Sequence, residues 1–208
     1  MLTKEEIRDA LVERHSEEVQ EKLDKARVAI AGLGGLGSNI AFFLTRIGVG
    51  HLHLIDFDKV DITNLNRQQY RMEHIGRYKT DALCEELREI NPYLEVETDC
   101  VKVTEENVGT LFQNETIICE AFDRPEAKAM LVSGAAEYYP DKILVAGSGM
   151  AGYGRSNEII TRKINEHFYL CGDAHTEPVK GRGLMAPRVA ICAAHEANLI
   201  TELIIRGK

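Results

Sequence analysis

The sequence predicts an α/β domain, a doubly wound and mostly parallel sheet with helices on both faces. Three observations predict it. Short apolar runs alternate with helix-period segments as far as residue 146, the pattern of parallel strands joined by crossover helices. The glycine-rich turn Gly32-Leu-Gly-Gly-Leu-Gly37 leads from the first apolar run straight into a helix, and Asp56 ends the next run, as in a nucleotide-binding βαβ unit. Finally, 208 residues suffice for one compact domain with appendages but not for a second. A single domain over 1–208 is therefore expected.

The elements follow in order. Residues 1–24 are highly charged, with Ile7, Leu11, Val19 and Leu23 at loose helical spacing; one helix is expected, lying on the surface or against a partner. Strand 28–31 runs into the glycine turn, helix 38–47 ends at Gly48, and strand 51–55 stops at Asp56-Phe-Asp58. A helix over 77–90 halts before Pro92 because the residue preceding proline leaves the helical region. Strands near 94–103 and 115–119 enclose a short helix, and helix 125–138 and strand 143–146 complete the alternation. Beyond Gly147 come two strands, 158–163 and 166–170, and a polar loop over 171–184. The closing helix opens at Pro187 and carries Val189, Ala193, Ala197, Ile200 and Ile204 on one stripe. The whole is Rossmann-like, with added C-terminal strands and helix.

Composition narrows the function classes. Hydrophobic residues are 44% and charged ones 28%, which excludes wholesale disorder. The net charge of −8 argues against nucleic acid as a partner, and no apolar run approaches the ~18 residues of a membrane span. The start lacks the apolar stretch of a secretory signal, so a soluble cytoplasmic protein is expected. Five cysteines, at 84, 100, 119, 171 and 192, include no C-x-x-C pair; neither a disulfide framework nor the paired hooks of a zinc site is expected. Cys84, Cys100, Cys119 and Cys192 read as small buried hydrophobes, whereas Cys171 opens the 171–184 loop.

The glycine turn permits close approach of phosphates to a helix N-terminus, where free N–H groups attract anions. Asp56 lies where an acceptor for ribose hydroxyls belongs. After it, Asn64-Leu-Asn-Arg-Gln68 brings amides and an arginine whose planar fork suits phosphate oxygens; a solvated turn is the competing reading. Lys79 shares the buried face of Leu83, Leu87 and Ile90. A cation there opposes the helix dipole, which an anionic ligand would explain. Asp123, after the 115–119 strand, either caps the next helix or faces the crevice, where a carboxylate can hold Mg²⁺ against phosphates.

Taken together, Gly32-Leu-Gly-Gly-Leu-Gly37, Asp56-Phe-Asp58, Asn64-Leu-Asn-Arg-Gln68, Gly76-x-x-Lys79 and Asp123 resemble the ThiF/MoeB/HesA family, bacterial relatives of ubiquitin-activating enzymes, from about residue 14 to the end. The resemblance implies an adenylyltransferase that activates the C-terminal glycine of a small ubiquitin-like sulfur carrier ending in Gly-Gly, with thiamine biosynthesis the favoured pathway. By resemblance Gly32, Gly34, Gly35, Gly37, Asp56 and Asp58 hold ATP, Arg67 and Lys79 take its phosphates, Asp123 holds Mg²⁺, and Asn64 and Gln68 frame the pocket. The 171–184 stretch resembles the family's crossover loop, and a homodimer is implied. A local basic patch of Lys180, Arg182 and Arg188 would offset the acidic net charge toward an acidic carrier.

Four departures stand out. Where the family opens with Arg-Tyr-x-Arg-Gln, this chain reads Arg14-His15-Ser16-Glu17-Glu18; either Arg14 supplies the arginine that reaches into the partner's site, or that arginine is lost. The zinc-binding cysteine pairs are missing, so no zinc is expected. The crossover loop has only Cys171, at its edge, for a covalent sulfur step. Arg124 and Lys128 replace the family's Asn and Arg, keeping charge but not fork geometry. Three rival readings remain: an NAD(P)-dependent oxidoreductase, which leaves Arg67 and Lys79 idle; a catalytically silent carrier-binding adaptor; and an adenylating relative acting on a tRNA base or a peptide.

Overall fold

The computed structural model describes residues 2–207. Its centre is a seven-stranded sheet in the order β3-β2-β1-β4-β5-β7-β6, built from β1 (Arg27–Ala31), β2 (His51–Ile55), β3 (Glu95–Asp99), β4 (Ile117–Glu120), β5 (Ile143–Gly147), β6 (Ile160–Lys163) and β7 (Phe168–Gly172). Every pairing is parallel except β6 with β7. The α/β expectation holds, and each expected strand is present.

Alternation within the strands divides the core in two. Val28 and Ile30 of β1, with Leu52 and Leu54 of β2, point into the larger cluster. It is covered by α2 (Glu17–Lys25), α3 (Gly35–Arg46), α4 (Lys79–Ile90) and α7 (Ala186–Arg206). Ala29, Ala31 and Ile55 point the other way, toward Phe112, Leu131 and Ala135, beneath α5 (Val108–Leu111) and α6 (Pro125–Tyr138). Burial on both faces explains why β5, Ile143-Leu-Val-Ala-Gly147, reads as a continuous apolar run. Among the described residues, no helix is long and apolar enough to cross a membrane.

Several boundaries differ from expectation. The single N-terminal helix is two: α1 (Lys4–His15), opened by a Thr3/Glu6 capping box, and α2, separated by Ser16 at φ 82°. The Ser16 hydroxyl accepts the Val19 N–H, so a capping residue ends the first helix and starts the second. α3 begins at Gly35, inside the glycine motif rather than after it. β3 stops at Asp99, and Cys100 beyond it is exposed, not a buried hydrophobe. β7 runs through Gly172, which moves Cys171 out of the crossover loop and into the sheet.

Candidate nucleotide site

Strand order reverses between the parallel neighbours β1 and β4: the chain crosses from β1 to β2 and β3 on one side, and from β4 to β5 on the other. At such a switch point the loops after the two central strands diverge and leave a crevice at their carboxyl ends. The glycine turn after β1 and the Asp123 segment after β4 flank it, since Ala31 pairs with Glu120 in register.

Gly32 turns at φ 93°, and a Cβ there would lie 2.9 Å from the Ala121 carbonyl oxygen. At Gly37 a Cβ would lie 1.9 Å from the Gly32 oxygen, so the third glycine lets α3 pack on β1. Gly34 differs, because its nearest neighbour would be Gln68 Nε2 at 3.8 Å. The turn is held at Leu33 from both sides: its N–H donates to Asp56 Oδ2 at 2.7 Å, and its carbonyl accepts the Tyr70 hydroxyl at 2.8 Å. Nothing in the sequence marks Tyr70, because a lone tyrosine beside Arg67-Gln-Gln69 carries no spacing signal.

Asp56 also accepts the Asp58 N–H at 2.8 Å. Its burial pushes the carboxyl up, against the pull of Lys79 and the two N–H donors. The Lys79 side chain, only 8% exposed, places Nζ 3.1 Å from Asp58 Oδ2 and 3.8 Å from Asp56 Oδ2. The inward lysine expected from helical spacing is present as the first residue of α4. Asp58 is the outward-facing acid of the pair, with its side chain 53% exposed.

Arg67 and Gln68 border the start of α3. A Cβ at Gly35 would meet Arg67 Cγ at 3.3 Å, and Asn39 Nδ2 holds the Arg67 carbonyl at 3.1 Å. Arg67 Nη1 donates to Thr63 and Asn66, while Arg67 Nε and Gln68 Oε1 are buried without a hydrogen-bond partner. Unpaired buried polar atoms are costly, and both residues border the first turn of α3 at Gly34 and Gly35. Asn64 does not share this role: its Oδ1 accepts the Asp61 N–H and closes the 62–64 turn. Asn66, for which spacing alone implies no role, donates to the Leu184 carbonyl at 3.0 Å and ties this segment to the end of the crossover loop.

Across the crevice, Asp123 is exposed and its side chain has no hydrogen-bond or ion-pair partner among the described residues. The helix-cap alternative fails, since Arg124 occupies the N-cap of α6 without a side-chain bond. Lys128 does not stand in as a free cation. Its Nζ lies 2.9 and 3.1 Å from the two Glu120 oxygens and 2.9 Å from the Gly147 carbonyl, neutralising a carboxylate buried at the end of β4.

Two further expectations are corrected. Cys171 is fully buried, and burial pushes its thiol up to about 12, so it lacks the thiolate a covalent sulfur step needs. Arg188 is not part of an exposed basic patch. It is buried, donates to Asp173 Oδ2 at 2.6 Å, and binds the Gly154 and Arg155 carbonyls. Burial opposes ionisation of Asp173, but the Thr176 hydroxyl, two backbone N–H groups and Arg188 outweigh it and hold the carboxyl far below its usual range. This network staples the start of the crossover loop to α7. Lys180 and Arg182 remain exposed. Arg14 is exposed at the end of α1, and Glu17, in the position of the missing arginine, pairs with Arg8.

A family model described as the ThiF family matches residues 7–207. The chain is 39% identical over 137 residues to adenylyltransferase and sulfurtransferase uba4 of Aspergillus terreus, covering 65% of this chain and 28% of that protein. It is 28% identical over 194 residues to molybdopterin-synthase adenylyltransferase of Salmonella typhimurium, covering 90% of this chain and 76% of that one. Among solved structures, E. coli tRNA N6-threonylcarbamoyladenosine dehydratase, TcdA, in complex with ATP superposes at a TM-score of 0.88 and 20% identity, over 100% of this chain and 98% of that one. E. coli MccB with ATP gives 0.71 at 21% identity, over 92% and 59%. The two structural likenesses concern the fold.

Proposed function

The chain belongs to the ThiF family, and on that premise we propose that it is an adenylyltransferase. It binds Mg·ATP in the crevice between β1 and β4 and activates the C-terminal carboxylate of a small ubiquitin-like sulfur carrier ending in Gly-Gly. The observation that carries this reading is the pair of buried, unpartnered atoms, Arg67 Nε and Gln68 Oε1, beside the open Gly34 position and the N-terminus of α3. An oxygen of the triphosphate supplies the acceptor that the Arg67 Nε–H lacks, and a hydroxyl or amino group of the nucleoside supplies the donor that Gln68 Oε1 lacks, with Lys79 as a further cation. The sulfurtransferase and molybdopterin-synthase names of the relatives support a sulfur carrier. Thiamine biosynthesis is the finer reading, and it rests on the resemblance of the motifs.

In the proposed step a carboxylate oxygen of the carrier attacks the α-phosphorus. The bond to the bridging oxygen breaks, pyrophosphate leaves with the electron pair, and an acyl-adenylate remains. No proton need move, so catalysis is positioning and charge neutralisation. Asp58 takes the ribose hydroxyls in place of Asp56, whose two oxygens accept the Leu33 and Asp58 N–H groups; Asp56 and Tyr70 hold the glycine turn, and Arg67 and Lys79 neutralise phosphate oxygens. Asp123, exposed and unpartnered, fits a magnesium ligand; the ion would supply further neutralisation of phosphate charge. Adenylation requires no thiol, in keeping with the buried Cys171. A homodimer in which Arg14 reaches the second copy's site is part of the same proposal.

Carrier-dependent ATP–pyrophosphate exchange tests it, run with thiamine-type and molybdopterin-type carriers. Asp123→Ala and Lys79→Ala should each lower exchange by at least ~100-fold, the scale of losing one group that stabilises transition-state charge. Asp123→Ala should leave the unfolding midpoint unchanged because its exposed side chain makes no hydrogen bond or ion pair among the described residues. Full exchange in both variants would overturn the site assignment, and absence of exchange with either carrier would favour the catalytically silent adaptor reading.

A further inference from the structure

Away from the crevice, the outer strands carry a polar row that the strand pattern leaves unexplained. His51 and His53 of β2 alternate with the buried Leu52 and Leu54, and Glu95, Glu97 and Asp99 of β3 lie in register beside them. They occupy the α5–α6 face of the sheet, where the row of Ile55, Ala29 and Ala31 is apolar.

His53 is 2% exposed, yet both ring nitrogens face carboxylates: Nε2 lies 3.0 Å from Asp99 Oδ2 and Nδ1 lies 3.3 Å from Glu115 Oε1. Carboxylates only accept hydrogen bonds, and a neutral imidazole has one N–H and one lone pair. One nitrogen would then point its lone pair at a carboxylate, unless a second proton or a metal ion sits between them. Glu115 is 2% exposed, and neither of its oxygens makes a hydrogen bond of ordinary geometry, nor does His53 Nδ1. Donor atoms of His53, Glu97 and Asp99 all lie within 4.8 Å of one another. The fixed cations nearby are Arg27, 4.0 Å from Glu97 and 3.2 Å from His51 Nε2, and Lys142, which acts on Glu115. With two cations against four carboxylates, counting Glu95, the surroundings favour a divalent ion.

We propose that this face holds one zinc-class divalent ion on His53 Nε2, Glu97 and Asp99, with Glu115 behind the imidazole as the carboxylate that receives its Nδ1–H. One imidazole with two carboxylates suits zinc, cobalt or nickel better than magnesium or calcium, and an acid behind the ligating histidine is the usual support for such a ligand. Three protein ligands leave room for water, as in an open site. The site is separate from the cysteine-held zinc whose C-x-x-C pairs the sequence lacks, and it does not depend on the nucleotide reading.

The test is titration of the metal-stripped full chain with Co²⁺ and Zn²⁺, without nucleotide, in a Cys100→Ser background that removes the one exposed thiol next to Asp99. We expect one Co²⁺ per chain, a visible spectrum free of thiolate charge transfer, and displacement by Zn²⁺. Glu97→Gln and Asp99→Asn, at half-exposed positions that tolerate change, should each weaken binding by at least tenfold, and Glu115→Gln by roughly 10–100-fold, with the unfolding transition of the metal-free proteins retained. Failure to bind Co²⁺ stoichiometrically at micromolar concentration, or binding unchanged in Glu97→Gln and Asp99→Asn, would overturn the proposal and leave His53 as an imidazolium clamped between two acids.

Discussion

Single side chains do several unlike tasks at this crevice. Asp56 and Tyr70 grip one residue, Leu33, from opposite sides, fixing the turn to which a nucleotide would bind. Glu120 and Lys128 neutralise each other behind it. Deeper still, Glu196 of α7 is fully buried, with the Cys119 and Cys192 thiols donating to it at 3.5 and 3.8 Å. Burial pushes its carboxyl up to about 8, with Lys128 pulling down and Glu120 pushing up. The folded chain therefore keeps a proton that the unfolded chain releases near pH 4.5, and this group's stabilising contribution declines as pH rises from there through about 8. Glu196→Gln should remove that decline. Urea unfolding between pH 5 and 9 should show the wild type losing stability relative to the variant by a few kcal/mol; parallel curves would contradict the assignment. Lys79 was legible at this scale because helical spacing fixes which way a side chain points. Tyr70 and the burial of Arg188 were not, because both depend on partners distant in sequence.

At the scale of elements, the glycine turn and α3 separate packing from ligand approach. Gly37→Ala places a methyl group 1.9 Å from the Gly32 oxygen; it should destabilise the fold by about 3 kcal/mol or more, toward the upper end of overpacking costs. Gly34→Ala meets nothing closer than 3.8 Å and should leave stability within about 1 kcal/mol of the parent while sharply weakening ATP binding, because its methyl occupies the phosphate approach. Chemical denaturation paired with ATP titration distinguishes the two, and equal loss of stability in both would contradict the division. The motif itself was plain in the sequence, whereas its helix boundary was not: a helix starting on glycine is set by packing against β1, not by propensity. Likewise the break at Ser16 hid within a charged stretch, since a capping serine inside a helical pattern looks like an ordinary surface residue.

For the whole molecule, the switch between β1 and β4 brings together residues spread from Gly32 to Asp123, and α7 packs back across α3 to seal one face. That architecture was legible because period-2 and period-3.6 burial alternate with few interruptions. The crossover segment was less so. Glycine and polar residues after Cys171 give it the signature of a loop, yet pairing of β7 with β5 and β6 draws it into the core. Whether the crevice takes Mg·ATP is decided by thermal unfolding with Mg·ATP, NAD or NADP in turn. At a hundredfold excess over the dissociation constant a ligand stabilises by about 2.7 kcal/mol, on the order of 5–10 °C for a domain of this size. That rise should occur with Mg·ATP alone and be reduced in Asp123→Ala. A rise with a nicotinamide cofactor and none with Mg·ATP would contradict the assignment of the crevice to Mg·ATP.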